Sequence, residues 1–204
     1  MTTNTGKSMR LKRVIDPAGV SVICALDHGM TSPTFLEPLA DIEARTRETV
    51  TGGANVIMMS KGMIRIAEPA FSPTTSLALL LSASADPGGD RPEIVQIAEV
   101  EEALVLGADI VKTNWPGDPE AFAKLVEATN GIPVVLAGGS RLEDKELLWR
   151  MQVAVEAGAI GCSVGRNIFM HASPEAITRA LSRVIRERWS ADKAHDALAE
   201  ELGR

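Results

Sequence analysis

Three times in this chain a Gly-Ala pair stands between the end of a helical pattern and the start of a short apolar run. The pairs are Gly53-Ala54, Gly107-Ala108 and Gly158-Ala159. A glycine closing a helix takes the left-handed conformation that turns the chain back on itself. Repeated in this order, apolar run, loop, helix and glycine are the signature of parallel strands joined by right-handed crossovers. The apolar runs fall at 20–26, 55–60, 77–82, 109–112, 133–137 and 161–164. They are continuously apolar rather than alternating, as strands are when helices cover their sheet. Helical patterns separate them at 38–51, 99–106, 119–129, 142–157 and 174–188. Asp118-Pro119, Ser173-Pro174 and Ser140 supply helix-start signals.

This counts as six strand–helix units where a closed eight-stranded barrel takes about 250 residues. The expected fold class is α/β, a TIM-barrel-like parallel (βα) barrel contracted to about six units. The pattern alone leaves an open doubly wound sheet as the alternative. The Gly/Pro/Asp stretch at 83–92 is the weakest region, and 93–98 reads either as loop or as a short extra strand. With 204 residues and 45% hydrophobic side chains the chain makes one core, so a single domain is expected over 1–204. Residues 1–19 are its lead-in and 190–204 an amphipathic tail helix.

Charge narrows the partners. The formal charge is −6, and the only basic clusters, at 7–13 and 179–188, are short and poor in aromatics, which argues against nucleic acid. No apolar run approaches the ~18 residues of a membrane span, and no leader pattern opens the chain. The two cysteines, Cys24 and Cys162, sit inside apolar runs and read as reduced core thiols. A cytoplasmic protein is expected.

Parallel α/β folds carry their ligands at the C-terminal ends of the strands. Four motifs fall there: Ala25-Leu26-Asp27-His28-Gly29, Ser60-Lys61-Gly62, Val111-Lys112-Thr113-Asn114, and the two turns Ala137-Gly138-Gly139-Ser140 and Val164-Gly165-Arg166-Asn167. Gly138, Gly139 and Gly165 let backbone amides approach an anion, with Ser140 beside them, and Arg166 adds a cation that forks onto phosphate oxygens. Tight turns with a salt-bridged arginine are the plainer reading of the same residues. Lys112 is the candidate nucleophile, because a strand-end lysine withdrawn from water near another cation attacks carbonyls as the free amine. Lys61 is the candidate second cation. Asp27 is the candidate acid/base or orienting carboxylate, with His28 next to it. No residue grouping has metal-ligand spacing, so neither metal nor cofactor is expected.

These segments resemble a known family. GADIVKTNWPGDPEAF, VVLAGGSRLEDKELL and AVEAGAIGCSVGRNIF, with ALDHGM and MSKGMI upstream, are similar to segments of the class I aldolases of the archaeal-type fructose-bisphosphate aldolase group. The aminodideoxyheptulosonate synthases and autoinducer-processing aldolases belong to the same group. The resemblance implies a homo-oligomeric, metal-free carbon–carbon lyase acting on a phosphorylated ketose or aldehyde. It makes Lys112 the Schiff-base lysine, Asp27 the active-site acid, and Gly138, Gly139, Gly165 and Arg166 the phosphate clamp. The chain also departs from the family. It contains no tyrosine, whereas the family's proton donor is one, and between Ser84 and Ala103 it lacks about two of the eight βα units. A non-catalytic sugar-phosphate-binding or assembly protein, and an aldolase-derived transferase or thiolase, are therefore the rival readings.

Overall fold

Residues 11–30, 36–59, 61–79 and 110–203 are described by the structure, a computed structural model. Each apolar run reaching into them forms a strand: β1 (Ser21–Ala25), β2 (Val56–Met59), β3 (Ser76–Leu79), β4 (Val111–Thr113), β5 (Val134–Ala137) and β6 (Gly161–Val164). The helices are α1 (Ile42–Thr51), α2 (Lys61–Ala67), α3 (Pro119–Ala128), α4 (Asp144–Glu156), α5 (Arg166–Phe169), α6 (Pro174–Arg186) and α7 (Ala191–Glu201). Single 3-10 turns occupy Asp27–Met30, Glu37–Leu39 and Glu68–Ala70. The expected helix at 99–106, the stretches 83–92 and 93–98, the pair Gly107-Ala108 and the Ser84–Ala103 junction lie outside the described residues.

Sheet order decides between the two architectures left open by the sequence. The strands run β3-β2-β1-β6-β5-β4, with every pairing parallel. Read around from β1, this is the chain's own order, with the last strand returning to the first through Ile23 opposite Ser163. That is the order of a (βα) barrel. A doubly wound sheet would instead set β4 beside β1.

The two faces of the sheet bury different things. Ile23, Val56 and Val135 form a small inner cluster with Met58, Ala78, Ile110, Ile160 and Val14 of the lead-in. Cys24, Leu26, Ile57, Met59, Leu136 and Val164 point the other way, into the layer made by the helices. Most of that outer layer comes from α4 (Leu147, Leu148, Met151) and α6 (Ile177, Leu181, Val184, Ile185). The tail helix α7 closes over both through Ala191, Ala194 and Leu198. Gly53 and Gly158 have φ of 104° each, the left-handed turn expected where α1 and α4 hand over to β2 and β6.

Several local expectations need correction. The first long helix starts at Ile42, not 38, because Asp41 caps it by accepting from the Ala44 amide, and 37–39 is a separate 3-10 turn. Ser140 is not a helix cap. Helix α4 begins at Asp144 after an extended Glu143 whose side chain makes no capping bond. Asp118 and Ser173 do cap α3 and α6, through the Ala121 and Ala176 amides.

Candidate active site at the strand ends

All strands are parallel, so the residues that follow them gather at one rim. Lys112 is the register partner of Val135, and paired residues share a face. Since Val135 belongs to the inner cluster, Lys112 projects toward the interior side of the sheet. Asp27 opens the 3-10 turn that follows β1 and lies near enough to Lys112 for their charges to interact. Lys61 opens α2 directly after β2. Its side chain lies outside the described residues.

Asp27 is buried and His28 half-buried beside it, with Asp27 Oδ1 and His28 Nδ1 3.5 Å apart. Neither atom has a hydrogen-bond partner among the described residues. Two buried polar atoms facing each other without a bond are an exception to the usual pairing of buried polar groups. The imidazole is fixed from behind, packing against Phe169 with ring centroids 5.4 Å apart. It also lies so close to Gly165 that a Cβ there would stand 2.5 Å from His28 Cε1 and 2.6 Å from the Ala25 carbonyl. Glycine at 165 is thus required by packing against β1.

The charges at this rim act on one another. Burial pushes the Lys112 ammonium below the ordinary lysine range, while the nearby Asp27 pulls it back up. The residue as a whole remains exposed, so this loss of water is partial. Burial also lowers His28. Asp27 opposes that shift, and the positive charges of Arg166 and Lys112 reinforce it. Asp27, His28, Lys112 and Arg166 therefore share one electrostatic field, assembled from β1, β4 and β6.

The glycine turns meet across Val164. Gly138 lies against the Val164 side chain, where a Cβ would come within 2.9 Å of Cγ1, and Gly139 has φ of 65° and open space beyond it. No helix starts at this turn. Four residues separate Gly139 from α4, whose first turn already carries Asp144 and Glu146, so any anion here depends on the turn's own amides. Asn167 closes the motif Val164-Gly165-Arg166-Asn167, and its residue type alone assigns it no role. It is buried and bonds to three backbone groups of the neighbouring turn.

Elsewhere, a cleft of about 1050 Å³ opens at the opposite rim between residues 12–17, Asn55 and residues 72–77. One of its guanidinium groups, that of Arg186, is engaged with Asp16 at 2.8 Å, the Gly53 carbonyl at 2.8 Å and Ser182. That network fastens the lead-in under the barrel. Cys24 and Cys162 are free, buried thiols, both raised by burial, Cys162 to about 12, which makes them inert core side chains. No described helix is long and apolar enough to cross a membrane.

The strand ends of this parallel (βα) barrel thus bring together a depressed lysine, a buried carboxylate and paired glycine turns, and the chain is similar to known aldolases. The DeoC/LacD family aldolases match residues 77–171. The 2-amino-3,7-dideoxy-D-threo-hept-6-ulosonate synthase of Halobacterium salinarum is 28% identical over 250 residues, covering 91% of this chain and 93% of that protein. The class 1 fructose-bisphosphate aldolase of the same species is 37% identical over 104 residues, 51% of this chain and 39% of the relative. Among solved structures, an archaeal fructose 1,6-bisphosphate aldolase superposes with a TM-score of 0.67 at 22% identity, over 89% of this chain and 99% of that one. The fructose-bisphosphate aldolase of Slackia heliotrinireducens gives 0.72 at 18% identity, over 97% and 92%. These structural matches establish the shared fold. The resemblance to the archaeal-type class I aldolase group, read from the motifs, is borne out. The contraction has a counterpart in the synthase alignment: 91% of 204 residues is about 186, so roughly 64 of the 250 aligned positions have no residue here. That difference equals the length of about two βα units of ~30 residues each.

Proposed function

We propose that this protein is a class I, Schiff-base-forming aldolase-like lyase acting on a phosphorylated ketose or aldehyde. The observation that carries the reading is Lys112: an amine facing the barrel interior, depressed by burial, in one field with Asp27 and His28. In this reading the free amine attacks the substrate carbonyl carbon to give a carbinolamine, which loses water to form an iminium. Asp27 takes the proton of the substrate hydroxyl β to the iminium carbon. The carbon–carbon bond breaks, an aldehyde departs, and the electron pair remains as an enamine. Reprotonation of the enamine and hydrolysis of the iminium return the amine and release the second carbonyl product. His28, held neutral by burial and facing Asp27, takes over the proton transfer that the missing tyrosine performs in relatives. Lys61 polarises the carbonyl. Gly138, Gly139, Ser140, Gly165 and Arg166 hold the phosphate.

The same reading makes the protein a homo-oligomer, measurable by light scattering, and the two unpaired buried thiols favour the cytoplasm. The absence of tyrosine supports one other reading, a sugar-phosphate-binding protein without turnover. Borohydride reduction in the presence of phosphorylated ketoses and aldehydes, followed by peptide mass spectrometry, separates the two. An adduct on Lys112, lost in Lys112→Met, is expected. Phosphate-dependent stabilisation without an adduct would support binding alone.

A further inference from the structure

The side chain of Asn167 is saturated by one short segment. Its Oδ1 accepts from the Leu142 amide at 2.6 Å, and its Nδ2 donates to the carbonyls of Gly138 and Ser140, each at 3.0 Å. The residue is 5% exposed, so these bonds are shielded from water. Both carbonyls are turned toward Asn167, and a trans peptide holds its C=O and N–H antiparallel. The amides of Gly139 and Arg141 are therefore directed away from Asn167, toward the other side of the turn. Among the described residues neither amide has an acceptor, and neither does that of Ser140. Glycine at 138 eases the close approach, since a Cβ there would sit 2.9 Å from Val164 Cγ1 and 3.3 Å from Asn167 Nδ2.

We infer that Asn167 is a positioning residue: it sets the shape of the 138–141 turn that the reading above makes the phosphate cradle. The inference rests on the phosphorylated-substrate reading above and adds what sets the cradle's shape. Three orphan amides suit an acceptor-only, multi-oxygen group, which phosphate supplies. Asn167 does not touch the ligand. It keeps two carbonyl oxygens out of the cradle, where they would repel an anion, and it joins the turn to the residue next to Arg166. A side chain without N–H donors cannot do this, so Asn167→Asp loses both carbonyl bonds and adds a negative charge behind the turn.

The test is a titration with inorganic phosphate followed by phosphorus NMR, on the native chain, Asn167→Asp and the uncharged Asn167→Ser. Borohydride trapping with dihydroxyacetone phosphate and with dihydroxyacetone runs in parallel. Phosphate affinity should fall about tenfold or more in both variants, the loss expected from one to two buried hydrogen bonds. The half-saturating concentration of dihydroxyacetone phosphate should rise with it. Trapping of unphosphorylated dihydroxyacetone should stay within about twofold of native, which a merely structural role for Asn167 would not preserve. Unchanged phosphate affinity in Asn167→Ser, equal losses for both ketones, or no phosphate binding by the native chain would each overturn the inference. If neither ketone is trapped by the native protein, the Schiff-base reading fails, and the phosphate titration still decides the role of Asn167.

Discussion

At Lys112 two opposed effects meet, and pH separates them. Burial disfavours the ammonium, so between its lowered pKa and the ordinary value of about 10.4 the unfolded chain holds a proton that the folded chain does not. Stability then rises with pH across that interval: the penalty is fully present below the folded pKa and relieved above the unfolded one. Lys112→Met removes this slope. The variant's melting midpoint, relative to native, should be highest near neutral pH and should decline as pH approaches about 10.4, as scanning calorimetry would record. A difference independent of pH would remove burial as the cause. Gly165→Ala tests the other fixed point. Its Cβ would displace both the His28 ring and the Ala25 carbonyl, costing about 1–3 kcal/mol in chemical denaturation. The shift of His28 should also be reduced, as seen in the pH dependence of its imidazole proton resonances. Lys112, Asp27 and the glycines were legible because each follows a recognisable apolar run. Asn167 was not. Its partners lie 25 to 29 residues away and are backbone atoms, which leave no mark on residue identity.

Elements were read more faithfully than caps, and the reason is periodicity. Helix α6 buries Ile177, Leu181, Val184 and Ile185 on a single stripe, a pattern that survives any uncertainty at its ends. Leu181→Ala should cost about 2–5 kcal/mol in urea unfolding, and Leu181→Met less than about 1.5 kcal/mol. A small loss for alanine would mean that α6 packs loosely. Capping gives weaker signals, since one serine or aspartate can start a helix or close a turn. Asp118 and Ser173 sit directly before a proline in a periodic stretch and were legible. Ser140 lies in a glycine turn, where the carbonyl bonds of Asn167, rather than a helix start, dictate the geometry. Asp118→Ala should cost about 1 kcal/mol, with the loss confined to α3 in amide exchange. Helix α2 was missed because Lys61-Gly62 reads as a loop and the helix spans only 7 residues.

Across the whole molecule, the repeat of run, helix and glycine carried the fold class, while strand order came only from the pairing itself. No local signal distinguishes a last strand that returns to the first from one that extends an edge. Helix α7 belongs to this scale, because it rests on both α4 and α6. Removing residues 190–204 uncovers the sites of Ala194 and Leu198 and should lower the melting midpoint by on the order of 5–10 °C. A truncated protein melting with the native one would make α7 an appendage.

The pairing of β1 with β6 also bears on how the chain is made. Strand β1 leaves the ribosome long before β6, the neighbour that covers one of its edges and is complete only at Val164. Until then the nascent protein carries an apolar strand with a bare row of amides and carbonyls, a ready template for another chain. Slow translation therefore brings no folding advantage to the first half. The central pairing waits for β6, and a chaperone that shields β1 in the interval would raise the yield of folded protein without touching the finished molecule.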